Sequence, residues 1–177
     1  RDATPEEFKG QVELIREVLD AMGIVSLSRE GFEADDILGT LSALAEKNGI
    51  VPVVVSGDRD LLQLAGETLK VRIPKTKGGR TETEDYYAAD VQAKYGVTPA
   101  EFIDMKALMG DASDNIPGVP GIGEKTAAKI ITQYHDIETA IAHAAEIKPK
   151  KASENLAAYQ EQARLSKFLA TIVRDMP

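Results

Sequence analysis

The sequence has no cysteine and no tryptophan, two histidines, and 5% aromatic residues among 177. Without cysteine there are no disulfides and no thiolate metal sites, and the chain fits a reducing cytosol. His135 and His143, eight apart near expected helix ends, read as surface residues without a catalytic role. No apolar run approaches the roughly 20 residues of a membrane span, and no signal peptide opens the chain. The expectation is a soluble, cytoplasmic protein with no membrane partner. Positive charge is also scarce: 21 Lys+Arg face 29 Asp+Glu, and the net charge of -8 argues at face value against a nucleic-acid partner.

That shortage is local. Residues 1–120 hold 22 acids against 13 bases, whereas residues 121–177 hold 7 against 8. Seven of the upstream acids are Glu33, Asp35, Asp36, Asp58, Asp60, Asp111 and Asp114, and divalent ions bound there would offset much of the excess. With 43% hydrophobic content the chain can bury a substantial core, as one domain or as a domain with a small appendage.

Residues 110–129, GDASDNIPGVPGIGEKTAAK, combine two kinds of phosphate chemistry. Asp111 and Asp114 are hard oxygen donors three residues apart, the ligand type of Mg2+ and Mn2+. Gly121-Ile122-Gly123 lets the backbone approach a partner closely, and the helix expected from Glu124 to Tyr134 presents its N-terminal amides to an anion. Lys125, Thr126 and Lys129 fall in its first turns, where they reach a nucleic-acid backbone without reading bases. Taken singly, each half also reads as ordinary turn and capping chemistry. Together at short range, with further carboxylates elsewhere, they favour a nucleic-acid strand held beside a metal.

Upstream, Thr4-Pro5-Glu6-Glu7 signals a helix start, and Val12, Ile15, Val18, Leu19 and Met22 predict one buried face on that helix. Residues 24–27, 50–56 and 69–73 are strand candidates, the second an apolar β-branched run expected to be buried on both faces of a parallel sheet. Glu33, Asp35 and Asp36 start a helix, where acids complement the dipole. At 100° per residue the three should not all bind one ion directly. Asp58 and Asp60 lie at the carboxyl end of the second strand, where open α/β sheets place ligands, although a turn and a helix cap would use the same residues. Lys70, Arg72, Lys75, Lys77 and Arg80 surround Gly78-Gly79, as a DNA contact or as a solvated hairpin without aromatic residues for stacking. Helices are then expected over residues 84–95, over 102–109 behind a Thr98 cap, over 137–145 behind Asp136, and from Ser153 onward. Lys106, about one and a half turns ahead of Asp111, is placed to hold a scissile phosphate or is a surface lysine.

The run GDASDNIPGVPGIGEKTA resembles the metal-ligand and helix-three-turn-helix segment of the structure-specific 5' nucleases, the flap endonuclease family. The likeness extends to GFEADDILGTL at residues 31–41, SGDRDLLQL at 56–64 and KYGVTPAEFIDMKALMG at 94–110, so it covers most of the chain. It is strongest toward the 5'-3' exonuclease domains joined to bacterial DNA polymerases. The resemblance implies an α/β, PIN-like core over residues 1–98, with a mainly parallel sheet flanked by helices. An all-helical domain holding the helix-three-turn-helix would follow over 99–177. It implies that Glu33, Asp35, Asp36, Asp58, Asp60, Asp111 and Asp114 are metal-site residues for two Mg2+ or Mn2+ ions. Gly121, Gly123, Lys125, Thr126 and Lys129 would bind DNA, with a K+ ion bridging the glycine turn and a phosphate. A polymerase domain would follow covalently. In the family two strands, which supply further metal-binding acids, and a basic helical arch precede the first helix seen here, so the chain is expected to be truncated at its N-terminus and to bind DNA ends while cutting them poorly or not at all.

The implied reaction is metal-assisted hydrolysis of phosphodiester bonds at 5' ends or 5' flaps of nicked or branched duplexes, RNA primers on DNA included, in the bacterial nucleoid. Two other classes stay open. A non-catalytic DNA-binding fragment would keep the glycine turn but have no use for seven acids. A Mg2+-dependent phosphohydrolase of small esters would use the acids and leave the helical part idle.

Overall fold

The computed structural model describes residues 6–177. The capping signal at Thr4 and Pro5 lies outside them. Helix α1 (Glu6–Ala21) forms where the apolar period expects it, but its stripe is not buried: Ile15, Val18 and Met22 are 53%, 57% and 68% exposed. An amphipathic period makes an apolar face, whereas burial needs a second surface against it. Residues 24–27 form no strand, since a strand exists only by pairing and none of the described strands pairs with this segment. Ile24 N–H bonds back to Leu19 O at 2.9 Å instead.

After α2 (Ala34–Lys47), strand β1 (Val53–Val55) pairs in parallel with β2 (Lys70–Lys77), Val54 opposite Val71. Only Val54 is buried, while Val53 and Val55 stay exposed, so the apolar run is covered on one face and not on both. Strand β2 turns back at Gly78-Gly79 into antiparallel β3 (Arg80–Tyr86), and the sheet β1-β2-β3 is mixed. Residues 84–86 therefore end a hairpin instead of opening a helix: the pairs Ile73 with Glu84 and Val71 with Tyr86 outweigh local helix propensity, and α3 begins two residues later (Ala88–Tyr95). Three of the hairpin's positive charges are answered within it, Lys70 and Arg72 by Asp85 and Lys75 by Glu84.

Thr98 caps α4 (Pro99–Met109) as expected: Glu101 N–H donates to Thr98 Oγ1 at 3.3 Å, and Thr98 N–H to Glu101 Oε2 at 2.8 Å. Helix α4 buries residues all round, Phe102, Asp104, Met105, Lys106, Ala107 and Leu108, and so becomes the central helix. Around it lie α5 (Glu124–Tyr134), α6 (Ile137–Ala142), α7 (Lys150–Ala158) and α8 (Gln160–Ala170). Asp136 caps α6 through Thr139 N–H at 2.8 Å. The last helical stretch starts at Lys150, directly after Pro149, and breaks at Tyr159, which leaves Ser153 inside α7 instead of capping a helix. One continuous core joins Leu61, Leu62 and Val71 beside the sheet to Leu108, Ile131 and Leu156 among the helices. Within it, buried Asp104 accepts from Ile137 N–H at 3.0 Å and Lys167 Nζ at 2.7 Å, tying α4 to α6 and α8.

The residues after α8 run back over α2. Val173 N–H donates to Asp36 Oδ1 at 2.9 Å, Met176 N–H to Thr40 Oγ1 at 3.2 Å, and Ile172 N–H to Gln63 Oε1 at 3.0 Å. No described helix is long and apolar enough to cross a membrane.

Candidate metal centre and nucleic-acid interface

Asp60 opens a 3-10 helix (Asp60–Leu64) just beyond β1, anchored by the fully buried Leu61 and Leu62. Asp58 shapes the turn before it, its Oδ1 accepting from Asp60 N–H at 2.9 Å. Asp111 and Asp114 sit on a loop after α4 that is closed by two backbone bonds, Asp111 N–H to Ile116 O and Ile116 N–H to Asp111 O, both 2.8 Å. Gly110 and Gly118, at φ +70° and +61°, cross there so closely that a Cβ on Gly110 would lie 2.7 Å from Ile116 O. Helix α8 pins the loop: Gly118 N–H donates to Ser166 Oγ at 3.0 Å, and Gln162 Nε2 donates to Gly118 O at 2.7 Å. Ser113 donates its N–H (2.8 Å) and its hydroxyl to Asp111 Oδ1, a support with no motif signal beyond its place between the two acids.

These segments bring one carboxylate oxygen each from Asp60, Asp111 and Asp114 within 4.8 Å of one another. Lys106, the lysine singled out from the sequence, is no surface residue: its side chain is 8% exposed, and Nζ lies 2.6 Å from Asp60 Oδ1 and 2.5 Å from Asp111 Oδ2. Burial alone would lower the Lys106 pKa, and the bonds to Asp111 and Asp60 outweigh it, leaving the ammonium held above its ordinary value. The same ammonium, with help from Ser113, holds the Asp111 carboxyl well below the usual carboxylate range. At the more buried Asp60, desolvation and the charges of Asp58 and Asp111 win over Lys106, and its pKa is raised. All the donors are carboxylate oxygens and a cation already sits between two of them, so the group fits a hard divalent ion such as Mg2+ or Mn2+.

Glu33, Asp35, Asp36 and Asp58 are not in that triad, but they line one cavity of about 920 Å³ with Asp60 and Asp114. Burial, then the charges of Asp58, Asp60, Glu33 and Asp36, push the Asp35 pKa up to about 6. Asp36 accepts from Glu33 N–H at 3.1 Å on Oδ2 and from Val173 N–H at 2.9 Å on Oδ1.

Across a second cavity, of about 390 Å³, Asp58, Asp60, Lys106 and Asp111 face Glu124 at the start of α5. Arg59, passed over between its two acids, lines it too, with Tyr95 and Phe102. Helix α5 is anchored by buried Ile122, Ala127, Ile130 and Ile131, which leaves Gly121, Gly123, Lys125 and Lys129 exposed and Thr126 half-buried. Gly121 has φ +76° and packs beside α7, where a Cβ would meet Asn155 Nδ2 at 3.3 Å and Lys151 Cε at 3.6 Å. Gly123 differs: its φ of -95° suits any residue, and a Cβ there would meet nothing within 4 Å. Asn155 Nδ2 donates to Pro120 O at 2.6 Å, so α7 buttresses the turn and brings Lys151 beside it; only the basic run at 148–151 hinted at this. His135, with a 73% exposed side chain, pairs with Glu101, and His143 stacks on Tyr134; neither borders the carboxylates.

An acid-centred α/β unit facing an anion-ready helix N-terminus is the class that fold and site define. Residues 1–96 match the family model described as the 5'-3' exonuclease N-terminal resolvase-like domain, and residues 97–177 match the 5'-3' exonuclease C-terminal SAM fold. The chain belongs to the 5'-3' exonuclease family. Over all 177 residues it is 51% identical to DNA polymerase I of Bacillus caldotenax, of which it spans about a fifth (20%) of the length. Among solved structures, the 5'-exonuclease of bacteriophage T5 with divalent zinc bound is similar over 96% of this chain and 63% of that one, at TM-score 0.76 and 25% identity. The bacteriophage T5 flap endonuclease in a complex with DNA and metal ions is similar over 94% and 62%, at TM-score 0.73 and 25% identity.

Proposed function

We propose that this chain is the nuclease portion of a longer, polymerase-linked protein and that it hydrolyses phosphodiester bonds at 5' ends or 5' flaps of nicked or branched DNA, RNA primers included. The observation that carries this reading is the gathering of Asp60, Asp111 and Asp114 within 4.8 Å, beside a cavity that reaches the start of α5. In this reading the triad holds one Mg2+ or Mn2+ ion, and Glu33, Asp35 and Asp58 hold or orient a second, with Asp36 fixing the helix that carries two of them. Such ions, when bound, lower the pKa of a water and stabilise the leaving oxygen. The chain's own residues position the strand: Lys106 holds the scissile phosphate, and Lys125, Thr126 and Lys129 contact backbone phosphates.

Gly123 supports the DNA side of the reading. A Cβ there would meet nothing within 4 Å, so the backbone is open to close approach by a phosphate, with a bridging K+ at Gly121 to Gly123. We further infer two units, residues 1–98 and 99–177, a covalently following polymerase domain, and a place in the cytoplasm at the bacterial nucleoid. The similar T5 proteins, one bound to zinc and one to DNA and metal ions, and the polymerase relative about five times as long, all support the reading. The test compares binding to a 5'-flap duplex in Ca2+, single-turnover cleavage in Mn2+, and hydrolysis of an aryl phosphate. Flap binding with at most slow cleavage, which Asp60→Asn abolishes, is expected; aryl phosphate turnover without DNA binding would overturn the proposal.

A further inference from the structure

Three features are not explained by the proposed function alone: the exposed stripe of α1, exposed Phe168 at the rim of the larger cavity, and the contact of the buried Lys106 ammonium with the acids. Nothing in the structure shows what covers the first two. The third carries an inference. We propose that the Lys106 ammonium is the resident cation of the Asp60, Asp111 and Asp114 group, and that a divalent ion must displace it to bind there.

This inference rests on the metal-site reading above and concerns how that site is filled. Nζ lies 2.6 Å from Asp60 Oδ1 and 2.5 Å from Asp111 Oδ2, bridging carboxylates from two separate loops. A Mg2+ ion binds oxygen at about 2.0–2.1 Å. An ion that close to both of the same oxygens would occupy the space Nζ fills, and a second positive charge cannot share it. The ammonium and the ion are therefore alternatives, not neighbours. Lysine suits the part of a removable cation: it is a compact point charge on a flexible four-carbon stem, whereas a guanidinium would be a planar fork. There is also somewhere for it to go. The cavity of about 390 Å³ is lined by Lys106, Met105 and Met109 and also by Glu124, so a displaced ammonium has room in a space that reaches the start of α5, where a phosphate would bind. One residue thus serves twice, holding the acids together while no ion is bound and offering its charge to substrate once one is.

The arrangement lowers the affinity for the ion, because each binding event breaks two charge-assisted hydrogen bonds. Isothermal titration of Mn2+ into the wild-type chain, Lys106→Met and Lys106→Arg tests it. Lys106→Met is expected to bind Mn2+ at least about tenfold more tightly than wild type, and Lys106→Arg no more tightly than wild type, because its charge is retained on a fork that is harder to displace. Equal or weaker binding by Lys106→Met, with wild type binding normally, overturns the displacement while leaving the metal reading intact. Absence of Mn2+ binding in all three proteins overturns both. Should Lys106→Met fail to fold, amine acetylation of wild type read by mass spectrometry decides: the reactivity of Lys106, 6% exposed at rest, should rise on saturation with Mn2+, and an unchanged reactivity refutes the proposal.

Discussion

Asp35→Asn should stabilise the ion-free protein at neutral pH, and the amount follows from where Asp35 sits. Burial and four neighbouring acids raise its pKa from 3.8 to about 6. A carboxyl whose folded pKa is raised binds a proton more tightly in the folded than in the unfolded state. Its contribution is therefore intact below pH 4, falls as pH rises from about 4 to 6, and remains a fixed penalty above that. A shift of this size corresponds to roughly 3 kcal/mol at 1.36 kcal/mol per unit, and partial exposure of Asp35 to solvent reduces it to about 1–2 kcal/mol. An amide of the same shape removes the charge and with it the penalty. The expected gain in melting temperature at pH 7.5 is about 2–8 °C for a chain of this length. At pH 4 or below, where the carboxyl is already neutral, the gain should vanish. Scanning calorimetry of both proteins in EDTA at the two pH values measures this, and an Asn variant that is less stable at pH 7.5, or equally shifted at both, would refute the electrostatic account.

Three more outcomes are expected. Saturating wild type to about 100 Kd with Mn2+ should add about 2.7 kcal/mol of stability by mass action, and Asp111→Asn should lose most of it; a wild-type melting temperature indifferent to millimolar Mn2+ would remove the metal site. For duplex DNA, Lys125→Ala should flatten the slope of log affinity against log salt by up to about 0.9, the value for one phosphate contact, whereas an unchanged slope and affinity in a salt series would place the DNA elsewhere. Gly118→Ala puts a side chain at φ +61° within 2.7 Å of Gly110 Cα and should cost about 3 kcal/mol or more in urea unfolding; a midpoint near wild type would show that the loop yields.

What was readable in advance divides by range. Thr98 and Asp136 cap their helices through residues three positions away, and Glu124–Tyr134 forms with the bounds its sequence suggests, because capping and periodicity are local. Residues 84–86 are helix-like locally, but their strand state depends on Val71 and Ile73 across a hairpin, and residues 24–27 carry a strand pattern that has no meaning without a partner. The acids themselves are legible as motifs, yet their grouping is not: Asp60 meets Asp111 across fifty residues of chain through a lysine whose spacing points to a scissile phosphate or a surface site and not to Asp60. Nor could spacing reveal that Asp36 bonds Val173, since nothing near either residue encodes the other.

That last bond bears on the order in which the molecule is made. Helix α2, which carries Asp35 and Asp36, is held by Val173 and Met176, 137 and 136 residues further on. A growing chain that has already emerged as far as Asp114 contains all seven candidate acids, yet it still lacks the strap that bonds Asp36. Another 62 residues separate Asp114 from Met176. At about 5–20 residues per second of synthesis, that is roughly 3–12 s during which the carboxylates exist without their final geometry. The bond to Asp36 thus forms only after Val173 has been made, and a ribosome-bound intermediate displaying all seven acids should bind divalent ions more weakly than the same residues once the strap has closed.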